Sequence, residues 1–216
     1  MNHRHSPSPS PQDRRPLTRK SQAERKAESE QKLFDALVDI VNREGVSAAT
    51  CERIGKEAGY SRGLTTTRLG RRDTMYARLM DRLYQDQVDR LAEQNVDELS
   101  GLDALRKYAD LHFEDIQHKA GYRAYFILVA ASLTELPSIR DRVLMQHELV
   151  QTLLASFFER AVKEGELARD TDCRQRAAIL GSFLFGVAMQ TRLSEKEHLG
   201  PIKQGAYEII DLGRSV

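Results

Sequence analysis

The sequence predicts an all-α protein, with an N-terminal three-helix head containing a helix-turn-helix and a larger C-terminal helical bundle. Two observations predict this class. Apolar residues recur at three-to-four spacing from about residue 30 onward, and no segment shows the alternation of a strand or a tandem repeat. Residues 45–72, GVSAATCERIGKEAGYSRGLTTTRLGRR, read as two short helices joined by a tight turn and followed by a basic exit.

Residues 1–25 open with HRHSPSPSPQDRRP and are expected to form a disordered basic tail, in which Arg14, Arg15, Arg19 and Lys20 could add phosphate contacts. Residues 26–72 are expected to form the head. Leu33, Phe34, Leu37, Val38 and Val41 outline an amphipathic first helix that ends at Gly45 and covers the motif. Ile54 and Ala58 mark the inner face of the second helix, and Gly59 sits where it must stop and reverse. Ser61 can cap the third helix, which begins Arg62, Gly63, Leu64; Tyr60 is expected to pack at the turn.

Residues 73–216 are expected to form the body. A long fourth helix carries Tyr76, Leu79, Met80, Leu83, Val88 and Leu91 to about residue 94. Ser100 and Gly101 break the chain, and Leu102, Leu105, Tyr108, Ala109, His112, Phe113 and Ile116 outline a fifth helix before Gly121. Residues 122–136, YRAYFILVAASLTEL, are apolar on nearly every side, as in a helix surrounded by others and closed by Pro137. Helices follow from about Ile139 to Lys163, over 174–193 and over 202–212; Gly181, Ser182, Gly186 and Ala188 would let a neighbouring helix approach the second of these.

The net charge of +1 conceals a division: residues 1–78 hold 16 Lys and Arg against 10 Asp and Glu, and residues 79–216 hold 17 against 22. A basic head on an acidic body suits a polyanion partner at one end only. Cys51 and Cys173 are too far apart to suggest a zinc motif, and isolated thiols fit a reducing compartment. No apolar run is long enough for a bilayer and no secretion signal is visible, so a cytoplasmic protein without a membrane partner is expected. No GxSxG, P-loop, Rossmann fingerprint or pair of Glu-x-x-His motifs occurs, and the histidines are scattered. Neither an enzyme, a metal site nor a cofactor is expected.

The segment CERIGKEAGYSRG, placed between an amphipathic helix and an acidic helical body, resembles the TetR family of bacterial transcriptional repressors. Arg72 falls where that family usually has a phosphate-holding lysine. Thr66 stands in place of a tyrosine that reaches a phosphate, Leu69 in place of a phenylalanine, and Ala49 where a threonine often caps the second helix. The stretch KEGELARDTDCRQRAAILGSFLFGVAMQ resembles the family's C-terminal dimerisation region, in the subgroup of the betaine-pathway repressor.

The resemblance implies a double-stranded DNA operator as partner, a homodimer and an unidentified small-molecule effector. Thr50, Thr66, Arg68 and Arg72 are expected at phosphates; Arg62 at a guanine, Leu64 at a thymine methyl, and Gly63 where the backbone approaches DNA. Phe157, Phe158, Phe183, Leu184 and Phe185 are candidates for the dimer interface, and Tyr108, His112, Phe113, Tyr125, Phe126 and Met189 for an effector pocket. The alternative reading is a helical adaptor whose DNA-binding head is degenerate.

Overall fold

The computed structural model describes residues 21–193 and 199–214, and the regular elements within them are helices. The expected contacts of Arg14, Arg15, Arg19 and Lys20 lie outside the described residues. Helix α1 spans Gln22–Glu44, so it begins inside the stretch expected to be tail. A reciprocal cap fixes its start: the Ser21 hydroxyl accepts from the Glu24 amide at 3.1 Å, and the Ser21 amide donates to Glu24 Oε2 at 2.6 Å. It ends at Gly45, whose φ of 82° suits glycine.

The head continues with α2 (Cys51–Ala58) and α3 (Arg62–Leu69), and α4 (Arg72–Glu93) leads out of it. Its apolar core does not stop at residue 72. Leu33, Leu37, Ile40, Ile54 and Leu69 are packed with Met75, Tyr76, Leu79 and Met80 of α4, and with Ala124, Leu128, Leu136 and Ile139 from farther along the chain. One long helix and two short ones would alone bury little area, and the borrowed residues enlarge the core. Polar ties follow the same seam: Asn42 Nδ2 donates to the Ala120 carbonyl at 2.9 Å, Ser47 Oγ to Glu135 Oε2 at 2.6 Å, and Arg142 Nη1 to Asp81 at 2.6 and 2.8 Å.

The body contains α5 (Gly101–His118), α6 (Ala120–Ala131), α7 (Arg140–Lys163), α8 (Cys173–Leu193) and α9 (Leu199–Asp211). Its core gathers Leu102, Leu105, Phe113, Leu154, Phe157, Phe158, Leu180 and Leu184. The start of α5 is locked to the end of α7. Gly101 N donates to Glu164 Oε2 and Leu102 N to Glu166 Oε2, both at 2.9 Å, while Arg160 Nη1 donates to the Leu99 carbonyl at 2.7 Å. Carboxylates thus satisfy the free amides of a helix start, and a guanidinium satisfies the carbonyls just before it.

Two expected boundaries differ. The break between α5 and α6 falls at Lys119, with Gly121 already helical. A Cβ on Gly121 would lie 2.8 Å from Leu83 Cδ2, so this glycine permits close approach to α4. Helix α6 ends at Ala131, ahead of Pro137, and Leu133 in the following turn is 68% exposed.

Candidate nucleic-acid interface

Thr50 caps α2 by accepting from the Arg53 amide at 3.2 Å. Gly59, at φ 78° and ψ 28°, terminates that helix in the left-handed conformation, and Ser61 caps α3 by accepting from the Leu64 amide at 3.2 Å. The turn is held tightly, with Tyr60 N donating to the Gly55 carbonyl at 2.7 Å. Gly55 is required there: a Cβ would lie 2.6 Å from Thr65 Oγ1 and 2.8 Å from the Tyr60 carbonyl oxygen. Tyr60 packs against the head core.

This geometry turns Thr65 and Leu69 inward and leaves Ser61, Arg62, Gly63, Thr66 and Thr67 exposed on one side of α3, with Leu64 half-buried. Thr50, Arg62, Thr66 and Arg72 line one open groove of about 560 Å³, between the starts of α2 and α4. Arg71, which was not among the expected phosphate contacts, joins them. It occupies the N-cap of α4 without a side-chain cap bond, so the helix start is left open to an anion. Its position directly before the fourth helix, beside Arg72, was the available signal.

The arginines of the head fall into two sets. In one, Arg43 pairs with Glu57 at 2.9 Å and Arg53 pairs with Glu44 and Glu57. Arg43 and Arg53 have their pKa raised chiefly by these hydrogen bonds. By contrast, no carboxylate among the described residues pairs with Arg62, Arg71 or Arg72. Arg72 lies 6.0 Å over the Tyr76 ring, whose hydroxyl is committed to the Val46 carbonyl at 2.6 Å. Glu52 also lines the groove, but the three arginines beside the helix starts can take phosphates without first breaking an ion pair.

Two expected contacts sit differently. Arg68 is half-buried and turns toward α1, where Nε donates to Ser29 Oγ at 3.3 Å; it does not line the groove. The Thr66 hydroxyl donates back to the Arg62 carbonyl at 3.1 Å, so it reaches a phosphate as a donor only by rotating away from that bond.

In the body, Tyr108, His112, Tyr125 and Phe126 line one cavity, together with Gln87, Tyr122, His147, Gln151, Gly181 and Phe185. Phe113 and Met189 do not line it: Phe113 is buried in the body core and Met189 packs against that core. His112 is held by Tyr122 on one ring nitrogen and Leu184 on the other. The expected dimer residues also divide. Phe157, Phe158 and Leu184 are at most 2% exposed within the protomer, so the intramolecular core already uses them. Phe183 is half-buried, and Phe185 remains exposed together with Ile179 on α8 and Leu144, Met145 and Leu149 on α7. Among the described residues, no three His, Cys, Asp or Glu side chains come together to hold a metal, and no helix is long and apolar enough to cross a membrane.

Residues 128–200 match the family described as tetracyclin repressor-like, C-terminal domain. No curated protein matches the chain. A TetR transcription regulator from Haloarcula marismortui superposes with a TM-score of 0.77 at 18% identity, over 88% of this chain and 100% of that one. A transcriptional regulator from Saccharomonospora viridis in complex with choline gives 0.77 at 16% identity, over 87% and 98%. The fatty acid degradation regulator FadR from Bacillus halodurans gives 0.74 at 16% identity, over 86% and 95%. Residues 128–200 thus match a tetracyclin repressor-like C-terminal domain by sequence, and the chain as a whole has the fold of TetR regulators.

Proposed function

We infer that the protein is a dimeric repressor that binds a palindromic operator in duplex DNA and is released by a small-molecule effector. The observation that carries this reading is the set of three unpaired arginines, Arg62, Arg71 and Arg72, on one groove beside the starts of α2 and α4. Arg62 and the bare backbone at Gly63 face the major groove, where Arg62 takes a guanine and Leu64 brushes a thymine methyl. Thr50, Arg71 and Arg72 hold phosphates, and Ser61 and Thr66 stand beside them. No catalytic or cofactor role is needed, and the protein acts where DNA is, in the cytoplasm.

A second copy docks on the outer side of α7 and α8, where Leu144, Met145, Leu149, Ile179 and Phe185 are exposed. Two heads about 34–36 Å apart then enter successive major grooves. The effector occupies the cavity that α4 shares with α5 to α8. Gln87 of α4 bonds Tyr108 of α5 at 3.3 Å, and a ligand that displaces this pair gains differential affinity for one setting of α4. The choline complex of the Saccharomonospora protein supports an effector within this fold, and the description of the body's family supports repression.

Fluorescence anisotropy on operator fragments found by genomic footprinting tests the reading. Affinity should fall steeply with salt; Arg72→Ala should lower the log–log slope by about one, and Arg62→Ala should relax discrimination at one base pair. Met145→Glu should yield monomers by sedimentation and weaken operator binding. Salt-insensitive or absent binding to every genomic fragment would refute the regulator and favour the adaptor with a degenerate head.

A further inference from the structure

Donor and acceptor roles follow from the contacts of two hydroxyls that line the body's cavity, those of Tyr122 and Tyr108. His112 is 5% exposed and places Nε2 2.9 Å from the Leu184 carbonyl oxygen. A carbonyl only accepts, so Nε2 carries the ring proton and Nδ1 presents a lone pair. Burial pushes the imidazole's pKa down to about 4, partly offset by the bond to Leu184, so the ring is neutral at ordinary pH. The Tyr122 hydroxyl, 2.7 Å from Nδ1, must therefore donate to it. That leaves only lone pairs on the Tyr122 oxygen. Tyr108 has the opposite polarity: its oxygen accepts from Gln87 Nε2 at 3.3 Å, and its own proton has no acceptor among the described residues.

The remaining walls limit what can enter. No Asp, Glu, Lys or Arg lines the cavity, so an ammonium would lose its hydration without meeting a carboxylate. Tyr125, Phe126 and Phe185 supply aromatic surface, with ring centroids 5.3 and 5.7 Å apart in edge-to-face contact. The free space is about 50 Å³, room for about four water molecules and well below the roughly 150 Å³ of a cavity that takes benzene, so a single ring enters only by pushing lining side chains apart. A hydroxyl is the smallest group that donates and accepts at a single atom.

We propose that this cavity binds a small uncharged aromatic alcohol, a single ring whose phenolic hydroxyl donates to Tyr122 and accepts from Tyr108. The ligand class deepens the effector reading above and rests on it for the consequence at DNA. The hydroxyl sits beside the Gln87–Tyr108 bond, so occupancy acts directly on the contact between α4 and α5.

Calorimetric titration of the full-length protein at pH 7 tests this with phenol, its isostere toluene, benzoate and tetramethylammonium. Phenol should bind saturably, one per chain and at least about tenfold more tightly than toluene, as expected for one or two neutral hydrogen bonds. Tyr122→Phe and Tyr108→Phe should each weaken phenol about five- to tenfold while toluene moves little, a difference that a merely structural role would not produce. Equal affinity for phenol and toluene overturns the proposal, as does tighter binding of benzoate or tetramethylammonium, or no phenol binding. Operator binding by the same preparation separates the two readings. DNA binding without phenol uptake removes this ligand class and leaves the regulator; phenol uptake without DNA binding does the reverse.

Discussion

In the head, Thr50, Arg62, Thr66, Arg71 and Arg72, the groups proposed to meet DNA, lie on one groove and are exposed. In the body, the cavity draws its lining from five helices between Gln87 and Phe185, and its central residues are buried. The first site is built by local chain geometry: a cap, a left-handed glycine, a second cap, and two neighbouring arginines before α4. The second exists only once distant helices have packed. A surface site can therefore be altered one contact at a time, whereas the cavity cannot be separated from the stability of the body.

The largest effect expected from this contrast is at Gly101. A Cβ there would lie 2.1 Å from the Ala161 backbone nitrogen, and neither backbone can yield without parting α5 from α7. Gly101→Ala should destabilise the protein by about 3 kcal/mol, read as a lower urea midpoint. An unchanged midpoint would show that the body tolerates displacement far better than a packed core should, and would erase the contrast with the head.

His112 supplies the next test. Its pKa in the fold is about 4, below the ordinary histidine value of 6.5, because burial penalises the imidazolium. The unfolded chain takes up a proton that the folded chain refuses, so the stabilisation is complete above about pH 6.5 and is lost as pH falls toward 4. Between pH 7 and pH 4.5 the difference amounts to about 2–3 kcal/mol. Denaturation at pH 7 and pH 4.5 should show this loss in the native sequence, and less of it in His112→Gln. An equal loss in both would place the acid sensitivity elsewhere.

Much of the fold was legible because its signals are short-range. Gly45 and Gly59 end helices as their spacing indicates, Ser61 caps α3, and the apolar stripe of α1 faces the core. The failures share one physical origin, which is that sequence periodicity gives a helix face but not its neighbour. Phe157 and Phe158 were offered to a second subunit, yet α5 claims that side of α7 for the protomer. Phe113 lies beside His112 in sequence, but a rotation of about 100° per residue carries it away from the cavity. Gly121 read as a break because a helical glycine is costly, and the compensating approach of Leu83 comes from another helix. Arg68 read as a phosphate contact, but Ser29 on α1 draws it aside.

Within the head, the two sets of arginines sharpen the distinction between surface charge and binding charge. Arg71→Ala should reduce the salt slope of DNA binding by about one. Arg43→Ala should leave that slope unchanged, because Arg43 is already paired with Glu57. Breaking this exposed pair should alter stability by no more than about 1 kcal/mol. If both variants changed the slope equally, general positive charge would account for binding and the groove would have no special standing.

The smallest structural effect, and the most discriminating, is expected at Gly63. Apart from Ser61 Oγ at 4.0 Å, nothing in the protein would meet a Cβ there, and its backbone is ordinary helix. Gly55, one helix earlier, is sterically compelled; Gly63 is not. An unneeded glycine in a helix sacrifices up to about 1 kcal/mol relative to alanine, so Gly63→Ala should hold or slightly raise thermal stability. If the bare backbone is there to let DNA come close, the same substitution should weaken operator binding severalfold while the salt slope stays constant, since no charge is removed. A variant that is more stable and binds equally well would detach Gly63 from the interface and leave the contact to the arginine side chains.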